Sequence, residues 1–263
     1  MSASIEAKNI SYQYQSKGES FGLKNVTASV EQGQLYSIIG PNGGGKTTLL
    51  RNLARQLGEK EKHDILVNGR ALHSYSQREL ARSVAVVNQS NHIPFEFSVE
   101  DIVLMGRTPH VPRFASETKR DRAIAEAAMQ KTGVTHLRDK TVTQISGGEL
   151  QRVVIARALA QQTGIILLDE PISQLDIKHQ VRIMELLRTL CHEENVAVVV
   201  VLHDLNISAQ YSDKILMMKG GEMIAADVPE AVITKENIQA AYGVAAEIIA
   251  NPVTGKPFIV YVS

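Results

Sequence analysis

The sequence predicts an α/β fold: a core with a mostly parallel sheet, an antiparallel β part on its N-terminal side and an inserted α-helical subdomain. Three observations predict it. Short apolar runs of buried-strand type at 35–39, 83–88, 165–168 and 197–202 alternate with stretches of helical spacing, which is how strands joined by crossover helices read. Residues 5–14 alternate apolar and polar instead, as a half-exposed strand does. From 98 to about 144 the β signal fades and helical spacing takes over.

Taken in order, the strand at 5–14 leads into a polar turn at 15–20 and a strand-like run near 26–30, an antiparallel edge. Gly33 opens the buried run 35–39, which ends at a glycine-rich loop. Residues 47–57 carry Leu49, Leu50, Leu53 and Leu57 on one helical face. After the strand at 83–88 stands Gln89, and the helical insertion follows, with helices at 99–105 and 119–132 separated by Thr108-Pro109-His110-Val111-Pro112. A helix at 150–161, a strand at 165–168, a helix near 180–190 and a strand at 197–202 restore the α/β alternation. Residues 214–219 and 222–226 read as a hairpin turned by Gly220-Gly221, and 258–262 adds a last strand. The chain is therefore read as one domain over 1–263. Residues 1–90 and 163–263 form the core with its antiparallel part, and about 91–162 form the helical subdomain.

The chemistry begins at Gly40-Pro41-Asn42-Gly43-Gly44-Gly45-Lys46-Thr47, which fits G-x-x-x-x-G-K-[ST] in full with a strand before it and a helix after. Backbone N–H groups of such a loop wrap phosphates, Lys46 brings positive charge to the β/γ region, and the Thr47 hydroxyl ligates Mg²⁺. Thr48 follows at the same helix start and also reaches phosphate. Asp169 closes an apolar strand, so its carboxylate emerges at the sheet's C-terminal edge, where open α/β sheets bind ligands, and suits Mg²⁺ through water. Glu170 points another way by the strand's alternation and is the candidate general base that polarises an attacking water. Loop, strand and helix together resemble the P-loop NTPase (RecA-like) core.

A second glycine-bearing helix start, Ser146-Gly147-Gly148-Glu149, fits S-x-x-E, a capping box in which Glu149 turns back to the backbone. A cap alone needs no pair of glycines, so the same loop is also a candidate anion site. The pair of loops, with Leu167-Leu168-Asp169-Glu170-Pro171 after the second, resembles the ATP-binding subunits of ABC transporters. That resemblance covers nearly the whole chain and implies a homodimer that sandwiches two ATP molecules. Ser146, Gly147 and Gly148, in the helical subdomain, complete the other chain's site. It also implies that Gln89 senses Mg²⁺ or water and links to the membrane subunit. Ser173-Gln174-Leu175-Asp176 meets the opposite monomer, His203 contacts the γ-phosphate, and Tyr14 stacks on adenine, with Tyr12 its near competitor.

Narrower likeness lies in 99–110, in Leu175-Asp176-Ile177-Lys178-His179-Gln180 and in Val201-Leu202-His203-Asp204-Leu205-Asn206. These resemble the ATPases of importers for ferric siderophores, haem and cobalamin. The resemblance implies an integral membrane permease as partner, an extracytoplasmic substrate-binding protein acting indirectly, and a place on the cytoplasmic side of the membrane. The alternatives are the ATPase of a zinc or manganese importer and a soluble, non-transport ATPase of the same family. A P-loop kinase is disfavoured by the Ser-Gly-Gly-Glu loop, Gln89 and His203 together.

Composition sets the outer bounds. Lys plus Arg, 28, equal Asp plus Glu, 28, so no basic field argues for nucleic acid. No apolar run approaches the roughly 20 residues of a membrane helix, and Glu6 and Lys8 stand where a signal peptide needs an apolar core, so export is not expected. The single Cys191 excludes an intrachain disulfide. Together with His192, Glu193 and Glu194 it reads as a solvated helix end rather than a metal cluster. The sizeable C-terminal regulatory domain that some ABC ATPases carry is not expected.

Overall fold

The computed structural model describes residues 3–14, 22–57, 64–89 and 96–262, and the polar turn expected at 15–20 lies outside them. The chain divides into two compact units, residues 1–74 with 187–263 and residues 75–186. The α/β class holds, with parallel strand pairs in each unit.

The first unit begins with an antiparallel sheet in the order β2-β1-β4-β5: β1 (Ala3–Gln13), β2 (Gly22–Glu31), β4 (Asp64–Val67) and β5 (Arg70–Ala71). Ile5, Ala7 and Ile10 of β1 are buried, which a strict alternation would not give. The register shifts between Ala7 and Ile10, where Asn9 takes φ 51° and donates its N–H to Thr27 Oγ1 at 3.0 Å. This bulge returns Ile10 to the buried face. Asn68 and Gly69, both at positive φ, turn β4 into β5 as a two-residue hairpin. β3 (Leu35–Ile39) is buried throughout and feeds α1 (Lys46–Leu53), which buries Leu49, Leu50 and Leu53. The helix stops before Leu57, because Arg55 adopts left-handed φ 51° and reverses the chain.

The second unit starts with α2 (Gln77–Ser83) and β6 (Val84–Val87). Then come α3 (Val99–Leu104), α4 (Lys119–Thr132) and α5 (Gly147–Ala160), whose apolar faces close around Val99, Ile102, Val103, Met129 and Val153. Burying each such side chain is worth about 1.5–3 kcal/mol. Arg107 is buried among them and donates to Asp121 Oδ1 at 2.9 Å and to Ala160 O at 2.7 Å, tying the start of α4 to the end of α5. Removing one partner of a buried pair costs about 3–5 kcal/mol. Gly106 precedes it because a Cβ there would lie 2.2 Å from Arg157 O. β7 (Ile165–Asp169) runs parallel to β6, and α6 (Ile177–His192) passes the division into the first unit.

The remainder belongs to the first unit. β8 (Ala197–Val201) is parallel to β3; α7 (Leu205–Tyr211) is capped by Asp204; β9 (Lys214–Lys219) flanks β3 on its other side. Gly220-Gly221 turn the chain into antiparallel β10 (Glu222–Asp227), the expected hairpin. After α8 (Pro229–Val232) and α9 (Lys235–Tyr242), β11 (Ala246–Ala250) and β12 (Pro257–Tyr261) form a two-stranded antiparallel sheet among the described residues. The last strand thus forms a separate ribbon, fastened by Asn206, whose side chain bonds both backbone groups of Ile259.

Candidate nucleotide-binding site

In the first unit the loop between β3 and α1 is shaped by its glycines. Gly40 has φ 147°, and a Cβ on it would sit 2.0 Å from Met218 O of β9. Gly45 caps α1 at φ 99° with no side-chain cap and no acid in the first turn, so no carboxylate offsets the positive end of the helix, which suits an anion. Gly44 N–H bonds Pro41 O at 3.0 Å, and Gly221 N–H bonds Gly44 O at 3.1 Å. The two-glycine hairpin turn therefore supports the loop from behind. Lys46 is only 6% exposed. Its ammonium donates to Gly40 O at 2.9 Å and Pro41 O at 3.0 Å, the compensation a buried cation requires.

Around this loop stand the other first-unit residues singled out by sequence. Thr47 is half-buried and Thr48 buried, and the Tyr14 hydroxyl lies 3.4 Å from Thr48 Oγ1. Tyr12 meets Tyr14 edge-on at 5.0 Å but lines a different cleft, of about 300 Å³, with Leu23 and Lys24. Pro41 is half-buried, Asn42 and Gly43 exposed. Ile38 pairs with Val201, so Gly40 and His203 stand two residues past paired positions, level at the strands' C-terminal ends. His203 is exposed there.

The second unit repeats that arrangement. Val87 pairs with Leu168, so Gln89 and Glu170 are level, and Gln89 Nε2 donates to Glu170 Oε2 at 2.8 Å. Asp169 is 1% exposed at the end of β7. Glu170 takes left-handed φ 51°, a conformation of order 1–3 kcal/mol above the common regions for a non-glycine residue and concentrated at functional sites. Its carbonyl accepts Ser173 Oγ at 3.0 Å as the chain turns toward Asp176.

The second glycine loop is capped. Ser146 Oγ accepts the Glu149 N–H, while Glu149 Oε2 accepts the Ser146 N–H and hydroxyl, each at 2.8 Å. The Ser146 amide first, then its hydroxyl, hold the Glu149 carboxyl below the usual range, with Lys140 and Arg152 adding to it. Gly147 and Gly148 have ordinary helical backbone. Added Cβ atoms would lie 3.3 Å from Gln174 Oε1 and 3.4 Å from Gln174 O and Leu175 Cδ2.

Sequence reasoning missed Gly221 and Met218 as the loop's support, although the hairpin itself was visible. Of the suspected helix end, Cys191 is buried, its thiol pushed up to about 12 chiefly by that burial, so it is packed rather than solvated. His192 Nε2 stands 3.1 Å from both oxygens of Asp213, which also accepts the Leu35 N–H. Among the described residues no group of three or more His, Cys, Asp or Glu side chains gathers to hold a metal ion.

Residues 23–173 match the family model described as ABC transporter. The ferric enterobactin transport ATP-binding protein of Escherichia coli is 40% identical over 237 residues, 90% of this chain and 87% of its own length. The hemin import ATP-binding protein of Deinococcus radiodurans is 39% identical over 267 residues, covering 100% of this chain and 98% of its own. Among solved structures, a metal-chelate type ABC transporter in an inward-facing conformation superimposes with a TM-score of 0.84 at 29% identity over 99% of this chain and 97% of that one. A dimeric ATP-binding cassette in a post-hydrolysis state, bound to ADP and Pi, matches with a TM-score of 0.76 at 30% identity, covering 85% of this chain and 98% of that one.

Proposed function

The chain belongs to the ABC transporter family as an ATP-binding, ATP-hydrolysing subunit, and we propose that its hydrolysis powers import of a metal chelate, of the ferric siderophore, haem or cobalamin class, through an integral membrane permease. In this reading two copies of the chain bind ATP between them. One observation carries it: the backbone at Gly147 and Gly148 is helical, and an added Cβ would meet nothing nearer than the movable Gln174 side chain at 3.3 Å for Gly147 and ordinary contacts at 3.4 Å for Gly148, so backbone conformation does not demand glycine at either position. A face kept bare at a helix start suits the close approach of phosphate from a second copy.

The residues then divide the work. The amides of the loop Gly40 to Thr47, with Lys46, bind the phosphates, Thr48 adds a hydroxyl, and Tyr14 rather than Tyr12 stacks on adenine, its hydroxyl being the one beside Thr48. The donor set Thr47 and Asp169, hard oxygens both, fits Mg²⁺, which when bound neutralises phosphate charge and orients the transferred group. Gln89 contributes to the same ion or its water. Glu170 accepts the hydrogen bond of the attacking water, and Gln89 holds that carboxylate in place. His203 contacts the γ-phosphate. Ser146, Gly147 and Gly148 of the helical subdomain, about 91–162, serve the second copy's nucleotide, and Asp176 meets that copy.

No described helix is long and apolar enough to cross a membrane. The chain works peripherally, on the cytoplasmic side, through its permease, which docks on the segment from Gln89 into the helical insertion. An extracytoplasmic binding protein delivers the cargo. The decisive test is Glu170→Gln, expected to bind ATP, lose roughly 10²–10⁴-fold of its hydrolysis rate and accumulate as a dimer. An undiminished monomeric ATPase overturns the assignment. For the cargo, the protein co-purified with its permease in lipid is assayed with ferric chelate, haem and cobalamin, each presented by a binding protein. Stimulation by one identifies the class, and failure of all three moves the reading to a zinc or manganese importer.

A further inference from the structure

Among the described residues four helix starts share one pattern, and α6 departs from it. At α2, α3, α4 and α5 a Ser or Thr caps the helix, and the carboxylate three residues on, from Glu79, Asp101, Asp121 or Glu149, accepts the cap's own N–H. That arrangement pairs two free amides and puts negative charge at the positive end of the helix. At α6 the carboxylate is on the cap residue, Asp176, and the third position is His179. Asp176 Oδ1 accepts the His179 N–H at 2.9 Å, and its carbonyl accepts the Gln180 N–H at 2.8 Å, which completes the cap. The imidazole is additional: His179 Nδ1 stands 2.8 and 2.9 Å from the two Asp176 oxygens.

A donor at that position gains nothing from the helix dipole, which opposes positive charge there. It serves the carboxylate. The backbone N–H of His179 first, then its ring, keep the Asp176 carboxyl below the usual range; a carboxylate only accepts, so Nδ1 carries the proton. Gln180 secures the other end of the segment, its Nε2 donating to Ile172 O at 3.1 Å. Residues 172–176 are thus held at both ends by the first turn of α6. The Asp176 side chain nevertheless remains 67% exposed.

We propose that His179 is a positioning residue whose Nδ1–H fixes the plane of the Asp176 carboxylate, so that its open lone pairs meet a second copy of this chain when ATP draws the two together. The inference rests on the two-copy reading above. It is tested in the full-length Glu170→Gln chain with Mg²⁺ and ATP, measuring dimerisation by sedimentation, ATP binding at concentrations where the chain is single, and melting temperature. His179→Asn retains an N–H near the place of Nδ1; His179→Glu restores the common capping residue but sets a second carboxylate against Asp176.

The expected result is dimerisation within about threefold of the parent for Asn and weakened roughly tenfold or more for Glu, with single-chain ATP binding and melting temperature at parent values in both. In the hydrolysing chain, His179→Glu raises the ATP concentration for half-maximal rate and leaves the saturated rate near normal. The inference fails if Glu dimerises like the parent, if Asn and Glu are equally impaired, or if the loss follows a fall in melting temperature. A parent that stays monomeric with ATP overturns the two-copy reading, and this inference with it.

Discussion

The two glycine-bearing helix starts, at α1 and α5, are opposites in construction. At α1 the glycines are demanded by the chain itself: Gly40, Gly43 and Gly45 lie at positive φ, and Gly40 abuts a carbonyl of β9. The helix end is left without a side-chain cap, and a buried lysine folds over the loop. At α5 the helix end is closed by Ser146 and Glu149, and the glycines are ordinary helical residues. Glycine therefore answers to internal geometry in one loop, whereas the helical backbone of the other sets no such demand. Pattern matching treats both as phosphate sites, and only the backbone separates them.

Substitution can break that distinction. The largest effect on stability is expected from Gly40→Ala, where the new Cβ must displace backbone: a loss of about 2–4 kcal/mol, read in denaturant unfolding. A loss under half a kcal/mol would mean that the loop tolerates a side chain after all. Ser146→Ala should cost about 1 kcal/mol, the usual worth of a cap. Gly148→Ala should go the other way, stabilising the single chain by about 0.5–1 kcal/mol while weakening ATP-driven dimerisation. A destabilised single chain would erase the contrast between the loops. The smallest effect is a titration. The Glu149 carboxyl should titrate by NMR below the ordinary value of about 4.3 and move up in Ser146→Ala. Because its folded value is depressed, the stability it lends is complete above the ordinary value and is lost only as pH falls through the lower one.

Periodicity made the class and most long elements legible, α3, α4 and the β9–β10 hairpin among them. Where it failed, local chemistry masked the period. The helix start expected at 150 lies at Gly147, since two low-propensity residues conceal the first turn. Two signals were present and went unread: Asn68-Gly69, a strong hairpin pair, and Ser76 with Glu79, the capping box of α2. Helix α8, of 4 residues, and strand β11, of 5, are too short to establish a period, and α9, of 8, buries only Ile238 and Ala241, too few to mark a face. Within the candidate site, residue types could be read, but their partnerships could not. The Gln89–Glu170 bond follows from the parallel register of β6 with β7, and glutamate, a residue type that rarely takes positive φ, gives no sign in the sequence of the left-handed turn at Glu170.

The support of the phosphate loop by Gly221 extends one bond further, because Gly221 O accepts the Lys24 N–H of β2 at 2.9 Å. Loop, hairpin turn and sheet edge form a relay of backbone amides across three segments remote from one another in sequence. Hydrogen exchange at Gly221 and Lys24 should consequently slow when nucleotide binds, and a lesion at Gly221 would present as a nucleotide-binding defect in a residue outside the loop itself.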